Sequence, residues 1–202
     1  MSGVAVAEAC RLCEGPLAPM GAVPASLRPV TGGDVLRCTS CASLQVLPVP
    51  SPQELARLYE EDYWAEFRAR WGIRGGDTEV APQLKLRLRE IESRLATGRL
   101  LDLGCAMGHF VAHARDQGWE AIGVEPSVAA AEEGRRRYGV TIHNCVLEAA
   151  PIPPASQDVV HSNHVIEHLP DPVGTLRTAF RMLRPGGILV AEVPQELATP
   201  LV

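Results

Sequence analysis

The sequence is poor in aromatic residues and contains no long apolar segment. Among its 202 residues there are three each of Trp, Tyr and Phe, so the core has to be built mainly from Leu, Val, Ile and Ala. No apolar run approaches the roughly 20 residues that a helix needs to cross a bilayer. Residues 1–9 are mostly apolar but lack the basic start of a signal peptide. We therefore expect no signal peptide and a cytoplasmic location.

The sequence also has fewer basic than acidic residues. The chain has 19 Lys and Arg against 24 Asp and Glu, which gives a net charge of −5. This balance argues against non-specific binding of nucleic acid by the whole surface, although a local basic patch is still compatible with it. The absence of any Lys-Ser or Lys-Thr pair excludes a phosphate-binding P-loop. Length and composition otherwise fit a medium-sized globular domain with a small additional unit.

Four of the six cysteines form two Cys-x-x-Cys pairs, Cys10 with Cys13 and Cys38 with Cys41. Each pair can point both thiolates at one ion, so the two pairs together predict a tetrahedral structural zinc site. The alternatives are incidental thiols or disulfides, and disulfides need an oxidising compartment.

The segment between the cysteine pairs is rich in proline and glycine, which favours short strands and turns over a helix. We therefore expect residues 1–50 to form a small zinc ribbon whose folding depends on the metal. Such ribbons often contact nucleic acid or proteins. The few arginines here, which acidic residues partly offset, make nucleic-acid binding the less favoured interpretation.

Residues 51–97 are expected to form a helical linker or lid. Ser51 is a predicted helix cap, and a second helix is predicted from Pro82 to Leu95. The apolar face of that second helix consists of Leu84, Leu88, Ile91 and Leu95, and the opposite, solvated face of Lys85, Arg87, Arg89 and Arg94. An aromatic cluster between Tyr63 and Trp71 is interpreted as packing, with a wall of a substrate site or a lid over a ligand pocket as the alternative.

Residues 98–202 alternate strand and helix patterns. Strands are predicted at 99–103, 120–124, 140–143, 158–161 and 188–193. Helices are predicted at 110–116, at 128–138 and after Asp171, the last with Leu176, Phe180 and Leu183 on its buried face. This order predicts an α/β fold, a Rossmann-like parallel sheet with flanking helices. Ligands of such sheets bind at the carboxyl ends of the strands.

The ends of the first two predicted strands carry a glycine loop and a carboxylate. Gly104 and Gly108 allow a tight turn and a close approach of a ligand to the backbone. Glu125 follows the second strand, where a carboxylate suits a bidentate grip on ribose hydroxyls. A dinucleotide fingerprint would need glycines where this chain has Ala106 and His109, so that interpretation is disfavoured.

Several consecutive motifs resemble those of class I S-adenosylmethionine-dependent methyltransferases. They are Leu101-Asp-Leu-Gly-Cys-Ala-Met-Gly-His-Phe110, Gly123-Val-Glu-Pro-Ser127, Asn163-His-Val-Ile-Glu-His-Leu-Pro-Asp-Pro172 and Leu183-Arg-Pro-Gly-Gly-Ile-Leu-Val190. The cysteine-bearing first part is similar, more loosely, to zinc-containing methyltransferases of sugar, natural-product and envelope pathways. The resemblance therefore implies methyl transfer to a small-molecule acceptor.

The resemblance also implies roles for individual residues. Asp102 would order the glycine loop and the amino-acid end of the cofactor, Glu125 would bind the ribose hydroxyls, and Pro126 would border the adenine. The remaining cofactor residues would be Gly104, Ala106 and Gly108 in the loop, with Ser162 and Asn163 past the fourth strand facing the methyl-bearing sulfur.

A general base for the acceptor would be a histidine near a strand end. The candidates are His109, His164 and His168, whereas His161 is interpreted as part of the sheet packing. A catalytic metal held by Asn163, Glu167 and His168 is a further alternative.

The sequence departs from the family at two places. Asn144 or Glu148 stands where an acidic residue often approaches the adenine, and Gln157 replaces an aromatic residue. The family fold also adds an antiparallel pair of strands after the fifth strand. We therefore expect a C-terminally incomplete fold, in which a missing segment or a partner covers the edge at Ile188–Val193.

Two other functions remain open at this point. One is an RNA methyltransferase that uses the zinc unit to hold its substrate, and the other is a non-catalytic remnant that binds the cofactor or a partner.

Overall fold

The computed structural model describes residues 9–20, 34–49, 54 and 82–193. The predicted Ser51 cap and the aromatic cluster between Tyr63 and Trp71 lie outside these ranges. Within them, no helix has both the length and the apolar character needed to cross a membrane.

The cysteine-bearing unit contains a small antiparallel sheet. Its strands are β1 (Leu17–Pro19), β2 (Asp34–Cys38) and β3 (Leu44–Leu47), in the order β1-β2-β3. Cys10, Leu17 and Cys38 form its buried centre, and Leu36 and Leu47 pack against them. In the described part of this unit the apolar centre is small and gives little burial to support folding.

Helix α1 (Pro82–Glu92) precedes the second sheet and buries the predicted apolar face. Leu88 and Ile91 are fully buried, and Leu84 and Leu95 pack against the same cluster. The expectation of a solvated opposite face is wrong for Arg87, whose partly buried guanidinium pairs with Glu90 and Glu192. Glu192 is distant in sequence, which is why helical periodicity could not reveal this contact.

The second unit, the sheet domain, contains β4 (Arg99–Leu103), α2 (His109–Asp116), β5 (Glu120–Val124), α3 (Val128–Tyr138), β6 (Thr141–His143), β7 (Gln157–Asn163), α4 (Pro172–Met182) and β8 (Leu183–Glu192). Its five strands form one parallel sheet in the order β6-β5-β4-β7-β8. The predicted α/β class is thereby confirmed. Two helices begin after the cap residues that the sequence predicts, because the side chains of Ser127 and Asp171 cap α3 and α4.

Apolar side chains cover both faces of this sheet. On one face, α1 and α2 pack through Ile91 and Phe110 on Leu100 and Val159. On the other face, Ala179 and Met182 of α4 join a cluster with Leu101 and Val160. Because all five strands are parallel, their carboxyl ends meet along one edge of the sheet, with β8 outermost on one side.

The predicted buried face of α4 is wrong at Phe180, which is 75% exposed, and Leu176 is only partly buried. Leu183 begins β8 instead of ending the helix, and it packs, partly buried, against the cluster that contains Ala179 and Met182. The buried positions are Pro172, Thr175, Thr178, Ala179 and Met182. The hydroxyl of Thr175 donates to Glu148 at 2.5 Å, which holds a polar residue on the inner side of the helix. Apolar spacing alone therefore selected the wrong side.

Candidate cofactor site and metal site

The loop after β4 is shaped by two glycines in the left-handed region. Gly104 has φ 68° and Gly108 has φ 71°. A Cβ on Gly104 would lie 2.4 Å from a methyl carbon of Val165, so this position accepts only glycine. The Gly104 and Cys105 amides donate to the Val124 carbonyl at 2.8 and 3.1 Å, which fixes the loop to the end of β5.

Glu125 joins this loop to the start of α3. One oxygen of its carboxylate accepts from the Ala106 amide at 2.9 Å, and the other accepts from the Ser127 amide at 2.8 Å. The residue is 7% exposed. Each carboxylate oxygen can accept more than one hydrogen bond, so both retain capacity for a ligand hydroxyl. Burial raises the pKa of the Glu125 carboxyl above its ordinary value, although the two amides act in the opposite direction.

Asn144 and Glu148, the two alternatives for the adenine side, lie in different surroundings. The Asn144 amide donates to the carbonyls of Glu125 and Pro126, both at 2.9 Å. Glu148 instead accepts from Thr175 of α4. The structure therefore brings Asn144, and not Glu148, into contact with the Glu125–Pro126 turn.

Asp102 has a partner that sequence reasoning missed. Asp102 of β4 and His161 of β7 are register partners, and Oδ1 of Asp102 lies 2.7 Å from Nδ1 of His161. Both are buried, at 4% and 1% exposure. The His161 ring packs on Phe110 with centroids 4.0 Å apart, and its Nε2 has no hydrogen-bond partner among the described residues. His161 is thus in the packing, as interpreted, but it also holds the carboxylate of Asp102.

Ser162 and Asn163 are the last two residues of β7 rather than residues past it, because pairing with β8 continues through Asn163. Neighbouring residues of a strand point to opposite faces, so these two side chains do not face one point. The Ser162 side chain is fully buried, and its Oγ has no partner among the described residues.

The three candidate bases do not lie together. His109 packs against Tyr138 of α3, with ring centroids 5.1 Å apart, and burial with nearby Arg137 lowers its pKa. His164 and His168 are in the segment between β7 and α4, on either side of Glu167. The Glu167 carboxylate lies 3.7 Å from Nδ1 of His164 and 3.6 Å from Nε2 of His168. Of the three, His164 and His168 share one region after the end of β7.

The four paired cysteines converge on one point. Their sulfurs all lie within 4.8 Å of one another, and Cys10–Cys41 and Cys13–Cys38 are 3.7 and 3.5 Å apart. A disulfide would require about 2.05 Å. Four sulfurs around zinc at about 2.3 Å would be separated by about 3.8 Å, which is close to the distances within these two pairs. The cluster therefore fits a tetrahedral metal ion.

Hydrogen bonds to the sulfurs favour thiolates at part of this cluster. Burial opposes ionisation of Cys10, but bonds from Ser43 and the Leu12 and Cys13 amides outweigh it and lower its pKa to about 5. For Cys13, the Gly15 amide favours the thiolate, but neighbouring Cys41 and Cys38 raise its pKa to about 12. A cation at the centre would be needed to hold all four sulfurs as thiolates.

The sheet domain thus combines parallel strands with a glycine loop after β4 and a buried carboxylate, that of Glu125, after β5. The chain belongs to the methyltransferase domain family, which it matches over residues 74–199, more than half of its length.

Individual relatives can be named. A Mycolicibacterium smegmatis protein named as a probable S-adenosylmethionine-dependent methyltransferase is 32% identical over 152 residues, covering 75% of this chain and 53% of the relative. A trans-aconitate 2-methyltransferase of Methylobacterium radiotolerans is 34% identical over 125 residues, covering 61% and 46%. The chain thus spans about half the length of these curated relatives.

Among solved structures, the chain is similar to a SAM-dependent methyltransferase of Thermotoga maritima described as a possible histamine N-methyltransferase. The two are 25% identical with a TM-score of 0.52, and the match covers 67% of this chain and 59% of that one.

Proposed function

We propose that this chain binds S-adenosylmethionine at the carboxyl ends of β4 and β5 and transfers its methyl group to a small-molecule acceptor. The observation that carries this proposal is the position of Glu125. Its buried carboxylate links the Gly104–Gly108 loop to the start of α3, and it retains capacity for two ribose hydroxyls. Membership of the methyltransferase domain family supports the same cofactor.

Different residues of the chain would contact different portions of S-adenosylmethionine. The backbone of the Gly104–Gly108 loop would follow the methionine portion and the ribose. Asp102, held by His161, would order the amino-acid end, and Pro126 with Asn144 would border the adenine. S-Adenosylmethionine, when bound, supplies a methyl group on a sulfonium that is already a good leaving group. The chain would contribute alignment and exclusion of water.

The acceptor would lie next to the end of β7. His164 and His168 are the histidines in this region, and either could take a proton from an acceptor hydroxyl or acidic carbon. His109 is a weaker candidate because its ring faces Tyr138. One relative is named as a trans-aconitate 2-methyltransferase, and the similar Thermotoga maritima structure is described as a possible histamine N-methyltransferase. Because these two acceptors are chemically unlike, the proposal names only the class of acceptor, a small molecule.

Replacing Glu125 with alanine should weaken binding of S-adenosylhomocysteine by at least about tenfold. The variant loses a charge-assisted grip on ribose hydroxyls, and tenfold corresponds to about 1.4 kcal/mol. Isothermal titration calorimetry measures this directly and needs no acceptor. Glu120→Ala is a matched control, since Glu120 is an exposed glutamate at the other end of β5. Equal affinity of wild type and the Glu125 variant would overturn the ribose assignment.

The affinity for S-adenosylhomocysteine should fall as the pH is lowered, and the fall should begin above the range of an ordinary glutamate. A raised pKa means that Glu125 takes up its proton at a higher pH than usual, and the protonated carboxyl has fewer acceptor sites for the ribose. Titrations between about pH 8 and about pH 4.5 would show this loss. In Glu125→Gln, affinity should be lower throughout and nearly independent of pH. A parallel pH profile in both proteins would contradict this prediction.

We also propose that Cys10, Cys13, Cys38 and Cys41 hold a structural zinc ion. The converging sulfurs and their amide hydrogen bonds support this assignment. All four ligand positions would be protein thiolates, leaving none open for substrate, so the ion would stabilise the unit and take no part in methyl transfer.

A further inference from the structure

A chain of hydrogen bonds connects the four-cysteine cluster to the segment that follows β7. We define that segment, residues 164–171, as the β7–α4 loop. It carries His164 and His168, the candidate acceptor-side residues, on either side of Glu167. Its sequence distance from the cysteines is large, so the contact is a feature of the tertiary fold.

The first part of the connection lies inside the cysteine-bearing unit. Gln45 of β3 is 5% exposed, and its Nε2 donates to the Cys10 sulfur at 2.7 Å. Its Oε1 accepts from the Arg11 amide at 3.1 Å and from Arg11 Nε at 3.4 Å. A buried amide that uses both ends in this way fixes the position of the Arg11 side chain relative to the metal ligand.

The second part crosses from this unit to the sheet domain. Nη1 of Arg11 donates to the Leu169 carbonyl at 3.1 Å and to the Pro170 carbonyl at 3.4 Å. Leu169 follows the short 3-10 helix Ile166–His168 as its C-cap, and Asp171 caps α4. Arg11 therefore holds the loop between the turn that carries His168 and the start of α4.

The same loop touches the proposed cofactor site from the other side. Val165 lies against Gly104, where an added Cβ would be 2.4 Å from its methyl carbon. The His164 amide donates to the Glu192 carbonyl at 2.8 Å, at the end of β8. The loop is thus placed between the cysteine-bearing unit and the glycine loop.

We infer that the four-cysteine unit is docked on the β7–α4 loop, with Arg11 as the positioning residue and Gln45 as its link to the metal site. The unit then orders the loop that carries His164 and His168, and loss of the metal loosens that loop. This inference deepens the proposed function, and its second half rests on the proposed zinc site. It also gives Arg11 an internal role in place of a contact with nucleic acid.

Hydrogen exchange measured by mass spectrometry on the full, zinc-loaded chain tests the docking. In Arg11→Ala, the amides of the β7–α4 loop should exchange about fivefold faster or more, since local opening becomes easier when anchoring hydrogen bonds are lost. Arg11→Lys should restore part of the protection, because lysine can still donate to a carbonyl. Arg37→Ala, at an exposed arginine of the same unit, is the matched control and should leave the loop unchanged.

Cobalt substitution separates the metal site from the docking. Arg11→Ala should keep the spectrum of a tetrahedral thiolate cobalt site, whereas Gln45→Leu should shift its sulfur-to-metal charge-transfer band and also speed exchange in the loop. Chelation of zinc from wild type should raise loop exchange to the level of Arg11→Ala.

Different failures would be distinguishable. Equal loop exchange in wild type, Arg11→Ala and Arg37→Ala would overturn the docking. A wild-type protein that binds no cobalt or zinc would overturn the metal half, and unchanged exchange after chelation would overturn the control of the loop by the metal. Failure of wild type to bind S-adenosylhomocysteine would count against the proposed function alone, because none of the exchange measurements depends on that ligand.

Discussion

Replacing Cys38 with serine should remove bound zinc, from about one equivalent to near zero, and unfold the three-stranded sheet β1–β3. Cys38 is 1% exposed and its sulfur accepts from the amides of Ser40 and Cys41, both at 3.4 Å. A serine oxygen is a poor zinc ligand and too short to reach the same point. Because structural zinc contributes about 10 kcal/mol or more to folding of such units, the effect on this sheet should be complete.

Zinc content after dialysis against a chelator measures the first effect, and hydrogen exchange in residues 34–49 measures the second. The control is Cys145→Ser, at a partly buried cysteine in the sheet domain, outside the metal cluster. It should retain full zinc and full protection of residues 34–49. Retention of about one equivalent of zinc by the Cys38 variant would contradict a four-cysteine site.

Local sequence signals were sufficient to place most elements of the sheet domain. The strand at 99–103 and the helix at 128–138 were predicted with the bounds they have in the structure, because a buried apolar run and a Ser127 cap are encoded within a few residues. The Cys-x-x-Cys pairs were equally local, and their convergence on one point agrees with the prediction.

What the sequence could not provide were relations between distant segments. His161 is identified as the partner of Asp102 only by the register of β4 against β7. Arg11 and Leu169 are separated by 158 positions, and nothing near either residue indicates the contact. Phe180 was assigned to the core because it is apolar and correctly spaced, but the side of α4 that faces the sheet is decided by the packing of Ala179 and Met182.

Replacing His161 with leucine should destabilise the sheet domain by about 3 kcal/mol. Leucine fills a similar volume, so the loss arises mainly because the Asp102 carboxylate, which is 4% exposed, is left without its partner at the centre of the sheet. Urea unfolding of the zinc-loaded chain measures the change. Asp102→Asn is the conservative control, since an amide oxygen can still accept a hydrogen bond from His161.

The double variant Asp102→Leu/His161→Leu distinguishes a specific pair from two independent buried residues. Removing both partners leaves no unpaired polar group, so the double variant should be more stable than the sum of the single effects predicts, by at least about 1 kcal/mol. Strictly additive losses would show that the 2.7 Å contact contributes nothing beyond packing. Non-additivity would mean that β4 and β7 are joined at the proposed cofactor site by a polar contact. That contact would then fix the carboxylate of Asp102 before any ligand arrives.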